Sequence, residues 1–415
     1  MKTAAVESAY AWWRLLACLA LTTVGAAGMF AVVVALPAFQ SDFGISRAEA
    51  SVPYTMVMAG FGIGGLLMGR LVDRYGIVRP LAFGAVALVL SYLQAAWCES
   101  RLLFYLAHAQ IGCFGCATVF APLIADVSKW FTRRRGLAVA ICASGNYVSG
   151  AIWPPIMVER IAAFGWRDTY TFIGLVSGAI MLPLVLMLLR TPSGTMALAG
   201  TGGSVGSPAT LGLTSKQLLS LLCVAGLGCC MAMAMPQVHM VSLCGDRGYG
   251  AARGAEMLSL MLGCGILSRL SFGFISDRLG GLRTILISSA LQALALALFL
   301  PADNLASLYI VAALFGLFQG GIVPCYALIV REYFPEAEAG SRLSVIILST
   351  LVGMALGGWI SGVIFDATGS YTVAFVHGIG WNFVNLGVIV FLLTRARGSH
   401  DHHNHHGTLA PRGAL

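Results

Sequence analysis

Apolar runs of about twenty residues follow one another along almost the whole chain, separated by short polar punctuation rich in Gly, Arg and Asp. Twelve such runs are read at approximately 13–37, 49–70, 79–98, 102–127, 135–158, 168–190, 216–241, 250–276, 283–300, 305–330, 342–365 and 371–393. At about 1.5 Å per residue each is long enough to cross a hydrocarbon layer of roughly 30 Å. They are too long for barrel strands and lack the two-residue alternation of a barrel, so each is predicted to be a helix with its backbone satisfied internally. The pattern predicts an all-α integral membrane protein of twelve transmembrane helices, here called spans 1 to 12.

The polar punctuation repeats. Gly69-Arg70-Leu71-Val72-Asp73-Arg74-Tyr75-Gly76-Ile77-Val78-Arg79 is echoed by Gly273-Phe274-Ile275-Ser276-Asp277-Arg278-Leu279-Gly280-Gly281-Leu282-Arg283, with Gly, Asp, Arg, Gly and Arg at a constant offset of 204. Gly112-Cys113-Phe114 and Gly316-Leu317-Phe318 keep the same offset. Duplication explains this, giving two pseudo-symmetric six-helix bundles over residues 1–190 and 215–395. Residues 191–214 between them are rich in Gly, Ser, Ala, Thr and Pro, as expected for a flexible cytoplasmic linker. Residues 396–415 form a His-rich cytoplasmic tail, for which an exposed, solvated role is weighed above metal chelation. In each repeat loop the aspartate is expected to cap the following helix, and the arginines to pair with acids or carbonyls. Asp73, Arg74, Arg79, Asp277, Arg278 and Arg283 are therefore predicted to gate the inner mouth.

Composition agrees with the pattern: of 415 residues, 58% are hydrophobic and 10% charged, against about 25% charged in soluble proteins. The net charge of +8 reports topology. Eighteen of the 25 Lys and Arg fall in loops, helix ends and tails on the side of both termini, and six on the other side, which predicts cytoplasmic termini. No nucleic-acid partner is implied. The eleven cysteines fall almost wholly within the spans and are read as packing residues, Cys113-x-x-Cys116 included. The first apolar run has spanning length and no small-residue cleavage pattern, so it is expected to remain as span 1.

Against this background Arg269, inside span 8, stands apart. A guanidinium keeps its proton in proteins and costs about 2.5–3.5 kcal/mol at a helix centre in lipid even on the lenient scale. It must face protein, water or an anion. The repeat does not require it, because its counterpart at offset 204 is Gly65. The rival reading is a structural ion pair, yet the 17 acids lie in loops, tails or helix ends, Asp126 and Glu256 being the nearest to embedded. A planar fork suits a carboxylate, so Arg269 is taken as the substrate-anion ligand. Asn146, at similar depth in span 5, is a candidate for a substrate oxygen or for a helix–helix hydrogen bond. Phe120 in span 4 is a candidate apolar wall. His108, His239 and His377 lie toward the outer side; the first is a candidate proton relay, with a buried neutral imidazole as the alternative. The spans offer no nucleophile–base pair and no metal set, so neither an enzyme nor a cofactor or catalytic metal is expected.

The first repeat loop resembles the signature loop between helices 2 and 3 of the major facilitator superfamily. Trp130-Phe131-Thr132-Arg133-Arg134-Arg135-Gly136-Leu137-Ala138, with Ser144-Gly145-Asn146 after it, resembles loop 4–5 and helix 5 of bacterial monocarboxylate transporters and oxalate/formate exchangers. Gly357-Gly358-Trp359-Ile360-Ser361-Gly362 through Phe365-Asp366-Ala367-Thr368-Gly369-Ser370-Tyr371 resembles the same group, as does an arginine in helix 8. The resemblance covers nearly the whole chain. It implies the major facilitator fold, in which helix 10 borders the cavity; Gln319 and Tyr326, two turns apart on one face, then become candidate substrate ligands.

The resemblance implies a secondary active transporter for a small, lactate- or pyruvate-like monocarboxylate, working as a monomer in a bacterial inner membrane with a proton as the expected co-substrate. The alternatives are an organic anion exchanger and a membrane nutrient receptor, which the short tails disfavour. Three departures bear on coupling. Animal monocarboxylate transporters have an aspartate one turn before the helix-8 arginine, where this chain has Gly265. They also have a helix-1 lysine, and span 1 has no charge after Arg14. The oxalate exchanger pattern has a helix-11 lysine, and Ser344 to Ile360 contains none. One fixed positive charge suits a monoanion.

Overall fold

The computed structural model describes residues 3–4, 6–192 and 211–406. Most of the linker and the last residues of the tail lie outside them. Among the described residues, eleven helical stretches have spanning length and hydropathy, and one of these, Arg135–Leu186, runs for 52 residues. It is two spans, because Gly165 inside it adopts φ 82°, ψ 166°, a conformation open to glycine and closed to other residues. Twelve spans result, and the fold is all-α.

Span 1 comprises Ala9–Gly25 and Ala27–Phe43. It does not stop at Pro37 but runs to Phe43 and ends on Gly44 in the left-handed conformation. Span 2, Arg47–Tyr75, opens on the Ser46/Glu49 capping box. Spans 3, 7, 8 and 9 are Val78–Trp97, Ser215–Asp246, Ala251–Leu279 and Gly281–Leu298. Spans 11 and 12 are Glu336–Thr368 and Thr372–His406, so the helical backbone continues through the His-rich stretch. Phe83, Leu90, Ile310 and Phe383 are 57–61% exposed. Apolar side chains exposed to this extent along spanning helices form a lipid-facing belt.

The offset of 204 is physical. Gly76 and Gly280 end spans 2 and 8 with the same backbone, φ 74° and 78°, and their N–H groups bond to Val72 and Ser276, themselves 204 apart. A Cβ on Gly112 would stand 2.0 Å from the Val57 carbonyl oxygen, and one on Gly316 would stand 2.0 Å from that of Met261. These too are repeat partners, so helix 4 meets helix 2 as helix 10 meets helix 8, through a glycine that lets the backbones touch. One expectation needs correcting. Asp73 and Asp277 lie in the last turns of spans 2 and 8 and cap nothing; spans 3 and 9 start without a side-chain cap. The glycine turns already terminate the helices, and the aspartates point out, exposed.

The N-terminal segment is fastened to the loop between spans 4 and 5. Arg14, 2% exposed, meets both oxygens of Asp126 at 2.7 and 2.9 Å and lies 4.8 Å over the Trp130 ring. Glu7 accepts hydrogen bonds from the backbone of Thr132 and Arg134, and those bonds, Arg134 first, hold its carboxyl below the usual carboxylate range.

Among the described residues, every hydrogen bond between the two halves involves Arg47, Ala48, Thr55 or Arg269. At the end far from the termini, Arg47 Nη2 pairs with Asp246 at 3.0 Å and Nη1 donates to Tyr371 Oη at 2.5 Å. The N–H groups of Arg47 and Ala48 donate to the two oxygens of Asp366 at 2.9 and 2.8 Å. Thr55 bonds to the Ala355 carbonyl at 3.2 Å. A Cβ on Gly362 would stand 2.9 Å from Ala48 Cα. The far end is therefore sealed. At the termini end no hydrogen bond or ion pair joins the halves among the described residues.

Candidate functional site

Arg269 lies at the inner limit of that seal. Ten residues separate it from the end of span 8, roughly 15 Å along the axis. Its Nη1 donates to the Ala143 carbonyl of span 5 at 2.8 Å. Its guanidinium lies 4.3 Å from the centroid of the Tyr147 ring, one turn further along span 5. Nε is buried without a partner, and no ion pair to Arg269 exists among the described residues. The acids closest to embedded are engaged elsewhere: Asp126 with Arg14, and Glu256 with Arg253 and the Tyr309 hydroxyl. The charge is thus positioned from both halves and neutralised by neither.

Gly265, one turn before Arg269, is covered by the same tyrosine. A Cβ there would stand 2.6 Å from Tyr147 Cε1. The place where a carboxylate side chain would start is filled by an aromatic ring.

Spans 4 and 10 each depart from regular α-helix midway, at neighbouring rather than identical repeat positions. Span 4 begins as Arg101–Gln110, widens into a π-helix over Ile111–Cys116, and breaks at Phe120 (φ −93°, ψ −83°) before Ala121–Val127. Span 10 is Leu305–Gln319, then Gly320 and Gly321, then Ile322–Tyr333. Cys116 and Gly320 are repeat partners at offset 204. Irregular backbone is tolerated at membrane depth only against protein or a cavity, so the break at Phe120 lies where span 4 faces the interior of its half.

Phe120 lines a crevice with Thr22, Ala26, Met29, Phe61 and Asn146, from spans 1, 2, 4 and 5. It is too narrow to hold water, Phe61 and Phe120 meeting edge to face at 5.8 Å. The Asn146 side-chain oxygen is buried there without a partner. Asn146 lies one turn from Ala143, whose carbonyl holds Arg269, but no hydrogen bond joins Asn146 to Arg269 among the described residues.

Gln319 and Tyr326 lie on either side of Gly320 and Gly321, whose backbone stays right-handed helical (φ −62° and −85°), and both side chains turn toward span 7. Both are fully buried against span 7. Gln319 accepts from Gln237 Nε2 at 3.0 Å and Tyr326 donates to Cys229 Sγ at 3.6 Å. His108 is fully buried within the first half, Nδ1 2.7 Å from the Phe104 carbonyl, Nε2 3.1 Å from the Tyr170 hydroxyl, among the rings of Phe39, Phe104 and Tyr170. His239 bonds to the Gly358 carbonyl at 2.8 Å and His377 accepts from Trp381. Asp73, Arg74, Arg79, Asp277, Arg278 and Arg283 are all exposed and form no ion pair among the described residues.

Sequence reasoning missed two features. Tyr147 adjoins Asn146 in the chain, but nothing local signals that its ring reaches span 8. Arg47 lies inside the Ser46/Glu49 capping box, and nothing local signals that Asp246, Asp366 and Tyr371 come to it from the other half.

Two six-helix halves, sealed at one end around a central unneutralised charge, define a membrane transporter. The chain belongs to the Major Facilitator Superfamily, whose family model matches residues 16–305 and 255–412. It is similar to monocarboxylate transporter 13 of Rattus norvegicus, 24% identical over 351 residues, covering 83% of this chain and 78% of the relative. It is also similar to the MFS-type transporter YcxA of Bacillus subtilis, 25% identical over 379 residues, covering 88% and 90%. Among solved structures, a bacterial homologue of the human lysosomal transporter Spinster, in an inward-facing and unoccupied conformation, superposes with a TM-score of 0.67 at 14% identity, covering 95% of this chain and 97% of that one.

Proposed function

We propose that this transporter moves a small organic monocarboxylate by alternating access, with Arg269 as the ligand of the carboxylate. The observation that carries this reading is the Arg269 guanidinium itself: buried at Nε, held by Ala143 and Tyr147, and unneutralised by any described carboxylate. Such a group is costly unless an anion completes it. The free edge of the fork can take a carboxylate bidentately, and the unpartnered Asn146 amide can meet a second substrate oxygen. Phe120 and Phe61 form the apolar wall; Gln319 and Tyr326 stiffen the second half behind the site. The similarity to a monocarboxylate transporter supports the substrate class.

In this reading the termini are cytoplasmic and the protein acts as a monomer in a bacterial inner membrane. The sealed end is then external, and the conformation faces inward. Asp73, Arg74, Arg79 and their repeat partners Asp277, Arg278 and Arg283 come together when the inner mouth closes.

Exchange is the second reading, favoured by one observation: Tyr147 fills the space over Gly265 where a proton-carrying carboxylate would start. Uptake of small mono- and dicarboxylates into proteoliposomes, with and without an inward proton gradient, tests both readings. Accumulation of a monocarboxylate driven by the gradient supports symport. Uptake only against preloaded anion makes the carrier an exchanger, and uptake of dicarboxylates alone contradicts the substrate class.

A further inference from the structure

The geometry points to Tyr147 as a positioning residue of the anion site: its ring seats the Arg269 guanidinium and bars the space over Gly265, so that the free edge of the fork accepts only a short-chain carboxylate. This rests on Arg269 being the anion ligand and adds which residue orients it and what limits substrate size.

Three observations combine. The guanidinium carbon lies 4.3 Å from the ring centroid, within the distance at which a cation is attracted to an aromatic face. Ala143, one turn before Tyr147 on the same face of span 5, fixes Nη1 at 2.8 Å. A ring on one face and a carbonyl at one nitrogen leave the fork a single edge for an anion. Finally, the ring atoms Cε1 and Cδ1 would stand 2.6 and 2.8 Å from a Cβ on Gly265. The tyrosine thus fills the lateral room beside the arginine that a longer acyl chain would otherwise enter. Tyr147 comes from the first half and Arg269 from the second, so the seat exists only while spans 5 and 8 are apposed at this depth.

The test is initial-rate uptake in proteoliposomes of pyruvate, 2-oxobutyrate and 2-oxoisocaproate by the full chain and by Tyr147→Phe, Tyr147→Leu and Arg269→Ala. Tyr147→Phe keeps the ring and is expected to hold KM for pyruvate within about twofold. Tyr147→Leu removes the seat and is expected to raise that KM roughly tenfold, from the loss of a partly desolvated cation–ring contact. Its preference for pyruvate over 2-oxoisocaproate is expected to fall. Unchanged KM and unchanged chain-length preference in Tyr147→Leu overturn the inference, as does Tyr147→Phe failing like Tyr147→Leu. Arg269→Ala separates the two claims: if it transports normally, the anion-site reading fails, whereas an inactive Arg269→Ala beside a normal Tyr147→Leu removes only the role of Tyr147. Should Tyr147→Leu fold poorly, Gly265→Ala reads the same contact, since its methyl must push the ring aside. A raised pyruvate KM in folded Gly265→Ala supports the inference and an unchanged one overturns it.

Discussion

Arg269 of span 8 donates a 2.8 Å hydrogen bond to the carbonyl of Ala143 in span 5, and among the described residues this is the hydrogen bond between the halves that lies nearest the termini end. It places the charge proposed to bind the anion on the surface where the two halves meet. In the proposed function, anion binding and the relative position of the halves would then act on the same guanidinium.

The far-end seal makes a prediction of its own. Arg47 is 6% exposed and meets Asp246, Tyr371 and the ring of Phe365 at 4.5 Å, while Asp366 holds its backbone. Removing one partner from a buried pair leaves the other uncompensated, at up to about 3–5 kcal/mol, less here because Asp246 is partly exposed. Arg47→Ala is expected to shift the empty carrier toward far-end opening. Spin labels on the far ends of spans 2 and 11 should then show a longer distance population. An unchanged distance distribution contradicts the seal.

Asp73 and Asp277 are expected to govern the rate of exchange without touching substrate. They are exposed and form no ion pair among the described residues, so in the proposed cycle their interactions belong to the opposite conformation. Asn at either position should slow uptake while equilibrium affinity stays within a few-fold. Loss of binding in both well-folded variants contradicts this.

The repeat glycines carry a stability prediction. Alanine at Gly112 or Gly316 would place a methyl 2.0 Å from a backbone oxygen, which cannot yield as a side-chain tip can. Each substitution is expected to cost at least about 1–3 kcal/mol, read as a lower melting temperature in detergent, and the two losses should be similar. Alanine at Gly69 or Gly273, which meet nothing within 4 Å, is the control.

Gly265→Asp would restore the acid of the animal relatives, but here the side chain enters a space occupied by Tyr147. If the ring yields, the new carboxylate lies one turn from Arg269 and competes with substrate for it. Uptake is then expected to be suppressed near neutral pH and to recover as pH falls and the aspartate protonates. A pH profile matching that of the natural chain contradicts the competition.

The spans, the repeat and the isolated arginine were legible in the sequence because each is a linear pattern: hydropathy, an offset of 204, a charge without a neighbour of opposite sign. The helix breaks were less so. Gly320-Gly321 announces one, but Phe120 breaks span 4 through a π-helix that no single residue signals. Gln319 and Tyr326 do turn the same way, but what they meet is span 7, which their spacing does not reveal. Asp73 and Asp277 looked like caps because a loop was read where the helix still runs. The cross-half contacts of Tyr147 and Arg47 depend on which faces the bundles turn to each other, and linear order does not contain that.

Equilibrium binding of radiolabelled pyruvate to the purified, folded carrier and to its Arg269→Ala and Arg269→Lys variants tests the central claim most directly. Two charge-assisted hydrogen bonds at about 1.5–3 kcal/mol each correspond to more than a hundredfold loss of affinity in Arg269→Ala, and a point charge in place of the fork should recover only part of it in Arg269→Lys. Affinity within a few-fold of the natural chain in Arg269→Ala would contradict the account.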